Sequence, residues 1–185
     1  MASELIVQTL KGPTSGANAN KVIIPSGQTL ELNEGVALPS GTTLPAGVGG
    51  KVLQVVSMTS TSENSTGSTS YVATSLTQSI TPSSTSSKIY ASFSSAAFCN
   101  TNGFIALTLY RGDSTNLGTG TYGLTWAKDY TTNFIDSVSF QYLDSPSTTS
   151  AVTYTVRIRA QESGHSVTLN INGTRGVLTL MEIAG

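Results

Sequence analysis

The stretch "AVTYTVRIRAQ", residues 151–161, decides the fold class, because its apolar residues recur at every second position. These residues are Val152, Tyr154, Val156, Ile158 and Ala160. The positions between them carry Thr, Arg and Gln. Successive side chains of a β-strand point to opposite sides, so this alternation predicts a strand with one buried face and one solvated face.

Further segments of the chain alternate in the same way: residues 51–58, 71–80, 88–96, 103–111, 136–143, 166–171 and 177–183. In the last segment, the face predicted to be buried carries Val177, Thr179, Met181 and Ile183. Turn-forming stretches separate the segments, and the longest of them, 60–70 and 114–133, are predicted to be irregular. No window predicts a helix. About eight strands indicate an all-β, jelly-roll-like antiparallel β-sandwich.

The first 50 residues follow a different pattern, in which nearly the same phrase occurs twice. "VIIPSGQTL" begins at Val22 and "VALPSGTTL" begins at Val36. A unit this short cannot bury its own apolar side, so it must pack on a partner surface or wind with other copies of the chain. We therefore expect residues 1–50 to form an extended, β-rich N-terminal arm that attaches and trimerises the protein, with a flexible linker as the alternative. Residues 51–185 are the predicted sandwich, called the knob below.

Composition excludes several classes of partner. Charged residues make up 10% of the chain, the net charge is −1, and the nine Lys and Arg residues are scattered. A nucleic-acid-binding protein would show a basic cluster, so no nucleic acid partner is expected. No run approaches the ~20 apolar residues of a membrane span, and the first residues do not form a signal peptide, so no membrane insertion is expected. The single cysteine, Cys99, is predicted to be a small buried core residue.

The sequence carries little that could support catalysis. A hydrolytic triad needs a histidine, and the only one, His165, lies in a turn sequence between two predicted strands. The carboxylates form no recognisable acid pair, and no Cys/His cluster predicts a metal site. We therefore expect that the protein is not an enzyme and that it binds no cofactor and no metal. The tripeptide Arg111-Gly112-Asp113 matches a motif of cell adhesion, but its place after a strand predicts a hairpin turn.

The best candidate for binding is the segment 120–133, which is predicted to be a loop. Sugar rings stack their C–H faces on aromatic side chains, while charged and amide groups orient their hydroxyls. The alternative is that Trp126 and Tyr130 fill the core or a subunit interface. The candidate receptor-binding or glycan-binding residues are Tyr122, Trp126, Lys128, Asp129 and Tyr130.

Several phrases of the sequence resemble those of small phage virion proteins of the tail-fibre-like type, particularly from marine and cyanobacterial phages. In the knob they are "GKVLQVVS", "ITPSSTSSKI", "YLDSPSTTSAVTYTV" and "TLMEIAG", and in the arm they are "NANKVIIPSGQTLEL" and "LPSGTTLPAG". The resemblance implies a trimeric virion component, assembled in the host cytoplasm, with a knob on a thin arm. No residue-level site transfers from it. Long tail fibres usually carry a distinct anchoring domain, for which 50 residues leave little room.

These observations lead to one main functional prediction and one alternative. The main prediction is a tail-fibre-like protein whose knob loops bind a host surface receptor, such as a glycan, at the end of the knob away from the arm. The alternative is a capsid decoration or head-fibre protein attached to the capsid by its arm. A glycan-cleaving enzyme is disfavoured by the lack of catalytic groups. The expected partners are other copies of the chain in a homotrimer, other virion proteins through the arm, and a host surface glycan.

Overall fold

A computed structural model of the chain describes residues 51–100, 103–128 and 133–185. The arm, residues 1–50, lies outside the described residues, and so do its repeat and its predicted role in trimerisation. The strands are β1 (Val52–Ser60), β2 (Asn64–Thr66), β3 (Val72–Ile80), β4 (Lys88–Asn100), β5 (Phe104–Arg111), β6 (Thr115–Asn116), β7 (Thr125–Lys128), β8 (Asn133–Asp144), β9 (Val152–Ala160), β10 (Val167–Leu169) and β11 (Gly176–Ile183). A short 3-10 turn, Ile171–Gly173, precedes β11.

The strands form two antiparallel sheets that pack face to face. In sheet 1, β4 pairs along one edge with β8 and along the other with β11 and β10, while β1 and β2 lie outside β11 and β10. In sheet 2 the order is β3, β9, β5, and the far edge of β5 pairs with both β6 and β7. The described part of the chain is therefore an all-β sandwich, as the sequence predicts in outline.

The core lies between the inner faces of the two sheets. Alternate residues of β9 point inward, and the face predicted from the sequence is the buried one. Leu107 of β5 is inaccessible to solvent, and the rings of Phe93 and Phe140, in neighbouring strands of sheet 1, have their centroids 4.9 Å apart. Cys99 is also fully buried, as predicted, and burial raises the pKa of its thiol to about 11.

The prediction for β11 is wrong about which face is buried. Leu178 and Leu180 point into the core, while the residues at the odd positions are half-buried on the outer face of sheet 1. Both faces of β11 are apolar, so alternation alone does not distinguish them. Glu182 lies on the inner face, and its charge makes the sequence pattern favour the opposite face. A buried carboxylate is unusual unless it is hydrogen-bonded.

Glu182 is satisfied by donors at the sandwich edge. Ser83 donates to its Oε1 from both the backbone N–H (2.7 Å) and the hydroxyl (2.6 Å), and Gln54 Nε2 donates to its Oε2 (2.6 Å). The carboxylate is inaccessible to solvent. Burial acts to raise the pKa of Glu182, but the hydrogen bonds outweigh it and lower that pKa from 4.5 to about 2.

A second buried polar cluster joins the two sheets. Nη1 of Arg111 lies 3.0 Å from both carboxylate oxygens of Asp144, and the Tyr154 hydroxyl donates to Asp144 Oδ2 at 2.7 Å. Burial, together with the hydrogen bond to this carboxylate, raises the pKa of Tyr154 well above its usual range. The residues between β5 and β6 form a hairpin in which Gly112 has a φ of 61°. Arg111 is therefore a structural residue, and its tripeptide forms the predicted hairpin turn.

The chain enters the sandwich at the end that carries this cluster. The Lys51 carbonyl accepts a hydrogen bond from the Ala184 N–H at 2.9 Å, in the same end region as the pair formed by Ile89 and Asp144. Strand β5 has eight residues, which span about 23 Å, so its first residue, Phe104, lies near the opposite end.

Candidate functional site

The segment that contains Trp126 is a strand rather than the predicted loop. Residues 125–128 form β7, which pairs with β5 so that Trp126 lies opposite Ala106 and Lys128 lies opposite Phe104. Alternate residues of a strand share a face, so these four side chains all belong to the outer face of sheet 2. Trp126 and Lys128, two of the predicted binding residues, are therefore presented by a sheet face. Its hydrogen-bonded backbone holds them more rigidly than a loop would.

Three aromatic rings on this face form a cluster that we call the aromatic platform: Phe104, Tyr122 and Trp126. Phe104 is only 2% exposed, because the Trp126 ring stacks on it at a centroid distance of 5.3 Å and Tyr122 meets it edge-on at 5.5 Å. Trp126 and Tyr122 are 52% and 50% exposed. The alternative that Trp126 fills the core of the knob is therefore wrong, and the alternative that it lies in a subunit interface stays a prediction.

An open pocket of about 290 Å³ adjoins the platform. Lys128 and Gln161 line it together with the three aromatic rings. This volume is near the lower end of the range for small-ligand sites, and it suits one sugar ring better than a large cofactor. The pocket combines an apolar, half-exposed wall with a cation and an amide.

Two arginines continue the outer face of sheet 2 beside the platform. The guanidinium carbon of Arg157 lies 4.1 Å from the centroid of the Tyr110 ring, and that of Arg159 lies 5.7 Å from the centroid of the Tyr71 ring. Burial raises the pKa of Tyr71 to about 12, although the charge of Arg159 opposes this effect. The Tyr71 hydroxyl donates to the Thr121 carbonyl at 3.3 Å, which helps to fix the segment that carries Tyr122.

The structure brings together only part of the set predicted from the sequence. Tyr122, Trp126 and Lys128 share one site, whereas Asp129 and Tyr130 lie outside the described residues. Sequence reasoning missed Phe104 and Gln161. The available signal was the outward register of "RIRAQ", which puts the arginines and Gln161 on one solvated face, but nothing in the sequence indicates that β7 lies next to β5.

The structure also locates the residues considered for catalysis. His165 is half-buried in the turn between β9 and β10, and its Nδ1 is buried without a hydrogen-bond partner. Within residues 51–100, 103–128 and 133–185, no group of three or more His, Cys, Asp or Glu side chains could hold a metal ion. The same residues include no helix with the length and apolar character needed to cross a membrane.

Comparison with protein-family models gives no match for the chain, and comparison with curated proteins gives none either.

Proposed function

We propose that the protein is a tail-fibre-like phage virion component whose knob binds a glycan on the host surface through the aromatic platform. The observation that carries this proposal is the half-exposed pair Trp126 and Tyr122, held in place by the buried ring of Phe104. Aromatic side chains normally bury most of their rings in the core or in an interface. Rings held at the surface beside an open pocket are typical of a binding site.

The chemistry of the platform matches that of a sugar. Axial C–H groups of a pyranose make an apolar surface that packs on the face of an aromatic ring. Lys128 and Gln161, on the wall of the same pocket, can donate hydrogen bonds to sugar hydroxyls, and the Gln161 carbonyl can accept one. Because the rings are already packed against each other, binding costs little side-chain entropy.

We also propose that the sandwich is a jelly roll, and the strand order supports this. When the short strands β2, β6 and β10 are set aside, sheet 1 has the order β1, β11, β4, β8 and sheet 2 has the order β3, β9, β5, β7. The chain thus changes sheet at every step except between β5 and β7. A jelly roll has this arrangement of eight strands in two sheets.

The position of the platform supports an attachment-and-recognition role. The chain enters the knob at Lys51, near the cluster of Arg111 and Asp144, whereas Phe104 lies toward the other end of β5. A protein that is anchored through the residues preceding Lys51 would leave the platform accessible to a host surface. We propose that residues 1–50 bind other virion proteins and contribute to a homotrimer.

The alternative function is a capsid decoration or head-fibre protein that the arm attaches to the capsid. The low charge of the chain, 10% of its residues, favours this alternative, because a neutral surface suits stable packing among other coat proteins. Imaging intact particles that carry a labelled copy distinguishes the two proposals. Label at the tail tip supports the first proposal, and label distributed over the head supports the alternative.

Replacing Trp126 with Ala is expected to weaken glycan binding by about 2 kcal/mol, which is roughly 30-fold, with a small loss of stability because the side chain is half-exposed. The measurement is calorimetric titration with oligosaccharides released from the host envelope, accompanied by thermal unfolding. Trp126→Phe is the control and should keep most of the affinity, because the ring still stacks. Unchanged binding by Trp126→Ala would refute the site.

Light scattering of the full chain at micromolar concentration is expected to give three times the 19.1 kDa mass of one chain. The physical reason is that the chain has no disulfide framework and very few charged residues, so burial between copies would add stability that a lone sandwich lacks. A mass of 19.1 kDa at that concentration would contradict the homotrimer.

A further inference from the structure

The outer face of sheet 1 carries almost no charge. The outward positions of β1, β11, β4 and β8 hold apolar, Ser, Thr, Asn and Gln residues, and their single charged side chain is Lys88. We call these outward positions the neutral face. The outer face of sheet 2 differs, since it carries Arg157, Arg159 and Lys128. A solvated surface is usually rich in charge, so the neutral face is unusual for a surface that stays in contact with water.

An apolar row crosses the neutral face from one edge of the sheet to the other. In the strand register, Val55 lies opposite Met181, Met181 opposite Tyr90, and Tyr90 opposite Leu143. Val55 and Leu143 at the two edges are 55% and 50% exposed, and Val52 next to the row is 47% exposed. Met181 and Tyr90 between them are half-buried, so the row is continuous but most exposed at its two ends. Exposed apolar patches on a soluble protein are typical of surfaces that bind another macromolecule.

The dimensions of the neutral face fit a protein interface. Its four strands have between 8 and 13 residues. With strands about 4.8 Å apart and about 3.3 Å per residue, the face measures roughly 19 Å by 26–43 Å, or about 500–800 Å². A stable interface of standard size buries about 800 Å² on each partner. At its upper estimate the whole face reaches this standard size, whereas the apolar row alone would be too small.

We propose that the neutral face is the surface through which copies of this chain pack against one another. A second copy fits because its own neutral face carries no charge except Lys88 at the start of β4, so that almost no unpaired charge is buried between copies. In the proposed homotrimer the three neutral faces would turn toward the common axis, and each would meet both of its neighbours. A strongly charged partner would bury its own charges without compensation. This inference rests on the self-association proposed above and not on glycan binding. The aromatic platform lies on the opposite outer face and stays accessible in such an assembly.

The test measures how fast a cysteine introduced into the full-length chain reacts with a maleimide. Cys99 gives no background, because it is fully buried and its pKa is about 11. Leu143→Cys reports on the neutral face, and Thr77→Cys, at an exposed position on the outer face of sheet 2, is the matched control. At a concentration where light scattering shows a multimer, we expect Leu143→Cys to react at least tenfold more slowly than Thr77→Cys. Val55→Cys is the substitute if Leu143→Cys alters the melting curve.

Equal reaction rates at the two positions in a multimer would overturn the inference and leave self-association itself intact. Slow reaction of Leu143→Cys at the mass of one chain would also overturn it, because the cover would then be a segment of the same chain. Slow reaction that becomes fast on dilution to the single chain would support it. None of these results depends on glycan binding. If the aromatic platform does not bind a glycan, the Trp126→Ala titration shows this separately.

Discussion

Replacing Asp144 with Ala is expected to lower the free energy of unfolding by about 3 kcal/mol or more. The carboxylate accepts hydrogen bonds from Arg111 at 3.0 Å and from the Tyr154 hydroxyl at 2.7 Å. Its removal leaves the hydroxyl of a fully buried tyrosine without an acceptor and leaves the guanidinium without its counter-charge. The Arg111 side chain is 30% exposed, so water relieves part of the penalty and keeps the loss near the lower end of the range for buried pairs.

Denaturant unfolding of three variants measures this effect. Tyr154→Phe removes a single hydrogen bond and should cost about 1 kcal/mol. Asp113→Ala is the matched control, because Asp113 also faces an arginine, Arg157, but at 3.6 Å and with its own side chain fully exposed. An ion pair whose carboxylate is fully solvated should contribute little to stability. If Asp144→Ala costs no more than Asp113→Ala, the cluster is not a stabilising element of the knob.

The second large effect concerns Glu182 and pH. Its folded-state pKa of about 2 lies below the ordinary value of 4.5, so the folded protein binds this proton less readily than the unfolded chain. The stabilisation by the ionised carboxylate is therefore complete above about pH 5 and is lost as pH falls toward 2. A shift of this size corresponds to roughly 3 kcal/mol at neutral pH.

The measurement is the free energy of unfolding between pH 6 and pH 3 for the wild type and for Glu182→Gln. The difference between the two proteins isolates Glu182 from the other carboxylates, and it should shrink as pH falls through this window. Glu162→Gln, in the exposed turn after β9, controls for the general effect of removing one negative charge. A difference that stays constant with pH would show that Glu182 acts only through packing.

The sequence predicts the sandwich because most of its strands have one apolar face. In β9 the alternation is regular, and the structure buries the face that the pattern selects. In β11 the same reasoning selects the wrong face, because Leu178 and Leu180 inside compete with Met181 and Ile183 outside. Tertiary context decides such a strand, since the inner face is determined by its neighbours β1 and β4 and by the donors around Glu182.

The candidate site is predictable in composition but not in geometry. The concentration of aromatic and charged residues between 120 and 133 identifies Tyr122, Trp126 and Lys128. Phe104 could not be recognised as their support, because it lies in a different strand and only the pairing of β5 with β7 brings it beneath Trp126. Strand β7 has four residues, which is too few for a periodic pattern to distinguish it from a loop.

The position of β11 has a consequence for the order of events during folding. This strand lies between β1 and β4, so sheet 1 closes only when residues as far apart as Gln54 and Glu182, 128 positions along the chain, come together. Such pairings require a long loop to close before any contact compensates for the lost entropy, and they place the knob among slowly folding domains. Until β11 is in place, β1 and β4 expose unpaired edges beside apolar side chains. During that interval the chain is most exposed to aggregation.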